Sequence, residues 1–272
     1  MNIESIALIL ILAFVCELID SSLGMMYGTI LSPVFIIAGY DPLVVVPSIL
    51  FSQAIGGFVA SRIHHRLENV DFGIERNVLK RLSELGYIDT FKRSASRDLK
   101  VVFVVTFTGI LGTIIGALTA INIPKVALKT YIGILVLVMG IILLLKNKYK
   151  FSWKKVLGIG ILASFNKGIS GGGFGPVITS GQIISGRKSK SSIGSTTLSE
   201  APICIAGFIT YLITNGLPTW NLVLILTAGS IMGAIVGPHI TSKFKSEKKV
   251  RMGLGILVTL LGIWTLVKTW LI

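Results

Sequence analysis

Charge is scarce in this chain, and acidic charge scarcest. Only 14% of the 272 residues are Asp, Glu, Lys or Arg, and 12 of those are acidic against 26 basic. A soluble domain carries about 25% charged residues, so the composition excludes a large water-facing domain. Cysteine is nearly absent. Cys16 and Cys204 both sit in apolar stretches and read as small core residues, which leaves no disulfide framework, no metal site and no cofactor to assign. The amino terminus lacks the basic start and the small-x-small cleavage site of a secretory signal. Glu4 stands where Lys or Arg would be expected, so residues 1–19 read as a first membrane segment.

What the chain has instead is apolar. Hydrophobic residues make up 52% of it, and its mean hydropathy is +0.82. A helix needs about 20 apolar residues to span a bilayer. The apolar segments fall at 3–19, 25–38, 42–61, 100–121, 124–145, 156–169, 173–186, 191–213, 220–240 and 252–271. The class is therefore an all-α polytopic membrane protein.

A net charge of +14 would suggest a nucleic-acid partner in a soluble protein. Here the partner is the bilayer, and the distribution of the charge gives orientation. Nine Lys or Arg lie in 62–100, five in 146–155, three in 187–190 and five in 241–251. Basic loops stay in the cytoplasm, which places both termini outside. The pairs 3–19/25–38 and 156–169/173–186 are too short for comfortable spans. Each is broken in the middle, at residues 20–24 and 167–173. Irregular backbone survives at membrane depth only when buried in protein or lining a wet cavity. Each pair is expected to be a hairpin with its tip inside the membrane, the alternative being two thin spans joined by a tight turn.

A shift of 147 residues aligns Gly24 with Gly171, Gly28 with Gly175, Ser48 with Ser195, Ser52 with Ser199 and Gln53 with Glu200. Tyr27 falls on Phe174. Gly112 and Gly116 match Gly233 and Gly237 at a different shift, because the first copy carries the insert 62–100. The copies divide the chain at 1–146 and 147–272. Five segments per copy is an odd number, so the second copy enters upside down. Inverted repeats with broken helices at the midplane are a transporter design.

The glycine cluster before an apolar run and a proline occurs once per half. It runs from Asp20, Ser21, Ser22 and Gly24 to Pro33, and from Asn166, Lys167, Ser170, Gly171, Gly172 and Gly173 to Pro176. With Asp41-Pro42 and the stretch Gly194 to Glu200, it resembles the sulfite exporter TauE/SafE family, also called the 4-toluene sulfonate uptake permease family. The resemblance covers nearly the whole chain. It implies export or uptake of sulfite, sulfonates or other small organic anions across the cytoplasmic membrane. The first copy departs from the glycine-rich pattern at Ser21, Ser22, Met25 and Met26.

Four ionisable residues fall inside membrane segments or their tips: Glu17, Asp20, Lys167 and Glu200. Such a charge costs at least ~2.5–3.5 kcal/mol at the bilayer centre, so it faces protein or water and usually pairs. Asp20 and Lys167 occupy equivalent positions, and two-fold symmetry is expected to bring them together. A helix starting after Gly171, Gly172 and Gly173 would offer unpaired N–H groups and a positive dipole end to an anion. Lys167, Ser170 and Asn166 would add charge and donors there, with Ser21, Ser22 and Gly24 as the weaker first-copy version. Ser48, Ser52 and Gln53, and Ser195, Thr196 and Ser199, form polar stripes on the adjacent spans. A bland reading of these hydroxyls is interhelical bonding worth ~0.6 kcal/mol each. Asp20, Glu200 and Glu17 are the candidate charge and coupling residues, and Glu200 in place of Gln53 suggests a protonatable coupling group.

His64, His65 and His239 read as solvated residues at cytosolic helix ends. Val78, Leu79, Leu82 and Leu85 in the insert suggest an amphipathic helix on the inner leaflet. The expected activity is thus secondary transport of a small anion, coupled to protons or another ion. An anion channel is the alternative. An intramembrane serine protease, suggested by the pattern Gly168-Ile169-Ser170-Gly171 with His239 as base, is weaker. Assembly into a homo-oligomer is left open by the sequence.

Overall fold

The structure is a computed structural model that describes residues 3–74, 90, 94–145, 153–184, 187–216, 218–243 and 248–271. The amphipathic stretch expected around Val78 to Leu85 lies outside the described residues. Ten helices are described: α1 (Ile3–Leu23), α2 (Tyr27–Ile37), α3 (Pro42–Arg66), α4 (Arg97–Asn122), α5 (Lys125–Leu144), α6 (Trp153–Ser170), α7 (Phe174–Ile184), α8 (Ser189–Asn215), α9 (Trp220–Ser242) and α10 (Lys248–Trp270). Six of them are long and apolar enough to cross a membrane, namely α1, α3, α4, α5, α8 and α9.

Helix α1 does not stop at Asp20. It runs on to Leu23, so Asp20 lies in its last turn and the break is only 24–26. Likewise α6 carries Lys167 in its last turn, and its break is 171–173. Both breaks open on a left-handed glycine, Gly24 at φ 72° and Gly171 at φ 73°, where a side chain would be strained. The third residue of each break is also at positive φ. In the second copy it is Gly173, at 80°, but in the first it is Met26, at 115°. That is a conformation L side chains rarely adopt. Helices α2 and α7 have 11 residues each, about 16 Å and half a hydrocarbon core. The starts and ends of α2 and α7 differ by the same 147 positions.

Several starts have evident local causes. Asp41 caps α3, accepting from the Leu43 N–H at 3.0 Å, with Pro42 preset for the first helical position. Ser96 caps α4 by accepting from the Leu99 N–H at 3.1 Å.

Packing crosses the two halves of the chain. Helix α1 lies along α9, α6 along α4, α3 along α8, and α5 along α10. Small residues set the close pairs. A Cβ on Gly233 would stand 2.7 Å from the Leu18 nitrogen of α1, and one on Gly116 would stand 2.3 Å from the Phe165 carbonyl of α6. Without a hydrophobic drive in lipid, such backbone approach is what holds membrane helices together. Outward faces are apolar, as Phe107, Leu111, Ile115 and Leu118 along α4 show. The interior buries Glu17, Asp20, Gln53, Lys167 and Glu200. The polar groups are inside and the apolar ones outside, as a lipid solvent requires.

Candidate functional site

The two breaks meet. A Cβ added to Gly28 would fall 1.6 Å from the Gly171 carbonyl oxygen, and one added to Gly175 would fall 2.4 Å from the Gly24 carbonyl oxygen. Each half-helix therefore starts against the other copy's break. Two hydrogen bonds cross the seam: the Gly173 N–H donates to Thr29 Oγ1 at 3.1 Å, and Thr179 Oγ1 donates to the Gly24 carbonyl at 2.7 Å.

Around this seam runs a chain of buried charge. Asp20 Oδ1 accepts from the Tyr27 N–H at 3.0 Å, across the first break, and so caps the start of α2. A carboxylate at a helix N-terminus is favoured by the unpaired amides and the dipole. Its Oδ2 accepts from Gln53 Nε2 at 3.2 Å. The other end of that amide, Gln53 Oε1, accepts from Lys167 Nζ. Lys167 Nζ also pairs with Glu200 Oε1 at 2.8 Å. Lys167 is only 1% exposed. The amide is oriented by its neighbours, with nitrogen toward the carboxylate and oxygen toward the ammonium. Asp20 and Lys167 thus do not touch; Gln53 bridges them, because Lys167 turns toward Glu200 on α8.

The remaining candidate residues divide into three groups. Gly171, Gly172 and Gly173 line the seam, but their own N–H groups have protein acceptors: the Lys167 carbonyl at 2.9 Å, Ser170 Oγ at 3.1 Å and Thr29 Oγ1 at 3.1 Å. Ser170 is tied back to the Asn166 carbonyl at 2.6 Å, and Asn166 Oδ1 accepts from the Tyr131 hydroxyl. Ser21 bonds the carbonyls of Glu17 and Gly233, and Ser22 bonds that of Ile19. Ser48, Ser52 and Ser199 donate to carbonyls of their own helices. Ser52 also meets the Tyr27 hydroxyl at 2.9 Å. Ser195 and Thr196 belong to a separate cluster. Arg187 donates to Ser195 Oγ, Gln182 and Asp98, and Gln182 donates to Thr196.

His64 corrects an expectation. It is fully buried, its Nε2 lies 2.8 Å from the Ser21 carbonyl, and its Nδ1 lies 3.1 Å from Asn69. It faces inward because α3 continues to Arg66 and packs beside the last turn of α1, whose Ser21 carbonyl it meets. His239 is exposed. Tyr27, Thr29, Gln182 and Arg187 were not picked out from the sequence. Tyr27 had one usable signal, its alignment with Phe174. Arg187 and Asp98 are 89 positions apart, with no pattern linking them.

The family model for "Sulfite exporter TauE/SafE" matches residues 85–265. That is more than half of the chain. The chain belongs to the sulfite exporter TauE/SafE family. A curated relative, the "Probable membrane transporter protein YtnM" of Bacillus subtilis (strain 168), is 24% identical over 273 residues, covering 94% of this chain and 80% of that protein. No solved structure matches the chain. Family membership makes this a membrane transporter of the TauE/SafE kind. The charged chain at the seam lies at the meeting point of helices from both halves of such a protein.

Proposed function

We propose that the protein is a secondary transporter moving a small anion, such as sulfite, a sulfonate or a related organic anion, across the cytoplasmic membrane. The observation that carries this reading is a difference between two equivalent positions. In the first copy, the N-terminus of α2 is capped by a built-in anion, the Asp20 carboxylate. At the equivalent place beside α7 stands Lys167. The helix that leads into α7 carries a cation where the helix that leads into α2 carries an anion. A substrate oxyanion there would take the role that Asp20 plays for α2, bonded by first-turn amides of α7 and by the Lys167 ammonium.

Glu200 neutralises Lys167. The substrate must therefore compete with, or displace, that carboxylate. Gln53 and Asp20 support the cation from the other side. Alternating access follows from two inverted copies, 1–146 and 147–272, rocking about the α3/α8 pair, with both termini outside and the basic loops in the cytosol. A small cavity lined by Val44, Pro47, Phe208, Tyr211 and Asn215 lies at the end of that pair which this orientation places outside. It reaches Tyr211, whose hydroxyl bonds the Gly168 carbonyl at 3.0 Å.

The test is uptake by the purified protein in liposomes, screened over sulfite, sulfonates, thiosulfate and small carboxylates. Saturable uptake with counterflow is expected, and Lys167→Ala should abolish it even when equal amounts of folded protein are reconstituted. Unchanged affinity and flux in that variant would remove Lys167 from the site. Large unitary currents would make the protein an anion channel instead.

A further inference from the structure

Glu17 has no part in the anion site just described, yet it is as deeply buried as Lys167, at 1% exposure. It lies on α1 one turn before Asp20, where α1, α3 and α9 meet. Gly233 of α9 presses on it, with a Cβ there 2.8 Å from Glu17 Cβ, and a Cβ on Gly56 of α3 would stand 3.2 Å from Glu17 Cδ. Its Oε2 lies 3.1 Å from Ser230 Oγ, and its Oε1 has no hydrogen-bond partner among the described residues. No basic side chain pairs with it among them either; the buried lysine is taken by Glu200. An unpaired carboxylate in such a place would be very costly.

Ser230 Oγ lies 3.1 Å from both Glu17 Oε2 and the Ser52 carbonyl. A carbonyl only accepts, and a serine hydroxyl has one proton. That proton cannot serve both acceptors at once. When it goes to the Ser52 carbonyl, the contact between Ser230 and Glu17 needs a proton on Oε2, giving a run from the Glu17 carboxyl to Ser230 to the Ser52 carbonyl. Packing alone does not require a carboxyl here. The position 147 residues later is Ser164, likewise buried at the crossing of α6 and α4, and there a hydroxyl fills the place.

We propose that Glu17 is the proton-binding carboxyl of the transporter. It holds a proton on Oε2 in this conformation and gives it up to water when α1 and α9 part during transport. This rests on the secondary-transport reading above and moves the coupling role from Glu200 to Glu17. Glu200 pairs with a cation at 2.8 Å, whereas Glu17 pairs with none among the described residues. The titratable groups around Glu17 are Cys16 and Asp20 on its own helix, Tyr27 from α2, Lys167 from α6 and Glu200 from α8. Among the described residues, α3 and α9 present Ser52, Gly56, Ser230 and Gly233 to this region. On release, the O–H bond of the carboxyl breaks, the electron pair stays on Oε2 and water takes the proton. The two acids then left within one turn of α1 repel each other, which disfavours the closed packing until a proton returns.

Glu17→Gln tests this, because the amide keeps the donor to Ser230 but cannot release it. In liposomes the variant should keep anion counterflow within about twofold of wild type. It should lose at least tenfold of the accumulation driven by a pH gradient, and lose anion-dependent proton flux followed with an internal pH dye. Retained gradient-driven accumulation would overturn the proposal, as would loss of counterflow in a correctly folded, monodisperse variant. A second measurement does not depend on the substrate. The infrared spectrum of the wild type at neutral pH should contain a protonated-carboxyl band that Glu17→Gln lacks; identical spectra would overturn the proposal. Absence of any anion flux in wild type would refute the transport reading, while the infrared band would still decide the proton site.

Discussion

Removing the Lys167 side-chain charge should expose how the buried chain is balanced. In Lys167→Met, Glu200 and Gln53 lose the ammonium they share, while the aliphatic volume is kept. Lys167 and Glu200 are at most 5% exposed at the side chain, so water cannot take over the task. Breaking a buried pair by deleting one partner costs about 3–5 kcal/mol, because an uncompensated charge stays behind. Glu200→Gln strands the ammonium in the same way. Its cost should be smaller, since Gln53 and, beyond it, Asp20 still support the lysine. The double variant Lys167→Met/Glu200→Gln removes both charges and should return to within about 1 kcal/mol of wild type, since replacing a whole buried pair is often neutral. The single costs therefore cannot add, and the cycle should give a coupling of several kcal/mol. Reversible unfolding in mixed micelles measures all four proteins. Transport by the double variant should remain absent, separating the stability role of the pair from the anion role of Lys167. If the two single costs simply add to within about 0.5 kcal/mol, the charges are not coupled and the site has been misread.

Three further outcomes are expected. Gly28→Ala should prevent folding or cost more than ~4 kcal/mol, since its Cβ would lie 1.6 Å from a backbone oxygen, whereas Gly181→Ala, with open space around it, should stabilise α7 by about 0.5–1 kcal/mol; yields and unfolding midpoints compare the two. Asp41 sits at the start of α3, where partial burial pushes its carboxyl up but the bonds from Lys125 and the Leu43 N–H outweigh that and hold it below the usual carboxylate range. Because the folded-state value is depressed, its stabilisation is complete above about pH 4 and fades as the pH falls. Lys125→Met should therefore cost less than ~1 kcal/mol at neutral pH and nothing in strong acid, as read by unfolding across pH. Finally, Cys16 and Cys204 are buried and free, so they should give little background to a membrane-impermeant maleimide. Leu271→Cys should label in whole cells and Lys188→Cys only after lysis; the reverse pattern would invert the proposed orientation.

Much of the architecture was legible before any coordinates. Composition alone required a lipid solvent. The paired glycines 147 positions apart marked both breaks, and left-handed backbone at Gly24 and Gly171 is the physical reason glycine stands there. The four intramembrane ionisable residues stood out because the bilayer makes each of them costly. The end of α1 was misplaced by a few residues, since Asp20 looks like a helix breaker in sequence. In the fold it lies in the last turn of one helix and caps the next, which starts after a three-residue break.

The membrane class, the break positions and the charged positions were therefore determined by the sequence itself, because each follows from local chemistry: hydropathy, backbone freedom or the cost of a buried charge. The partners were decided by the tertiary structure alone. That Lys167 chooses Glu200, that Gln53 bridges it to Asp20, and that Glu17 meets Ser230 rather than a cation all depend on contacts between helices, the last of them between residues 213 positions apart. Apolar helices of similar composition do not announce their neighbours. Which ones meet is set by where glycine lets two backbones approach, and only the folded chain shows which side chains that approach brings within hydrogen-bond reach.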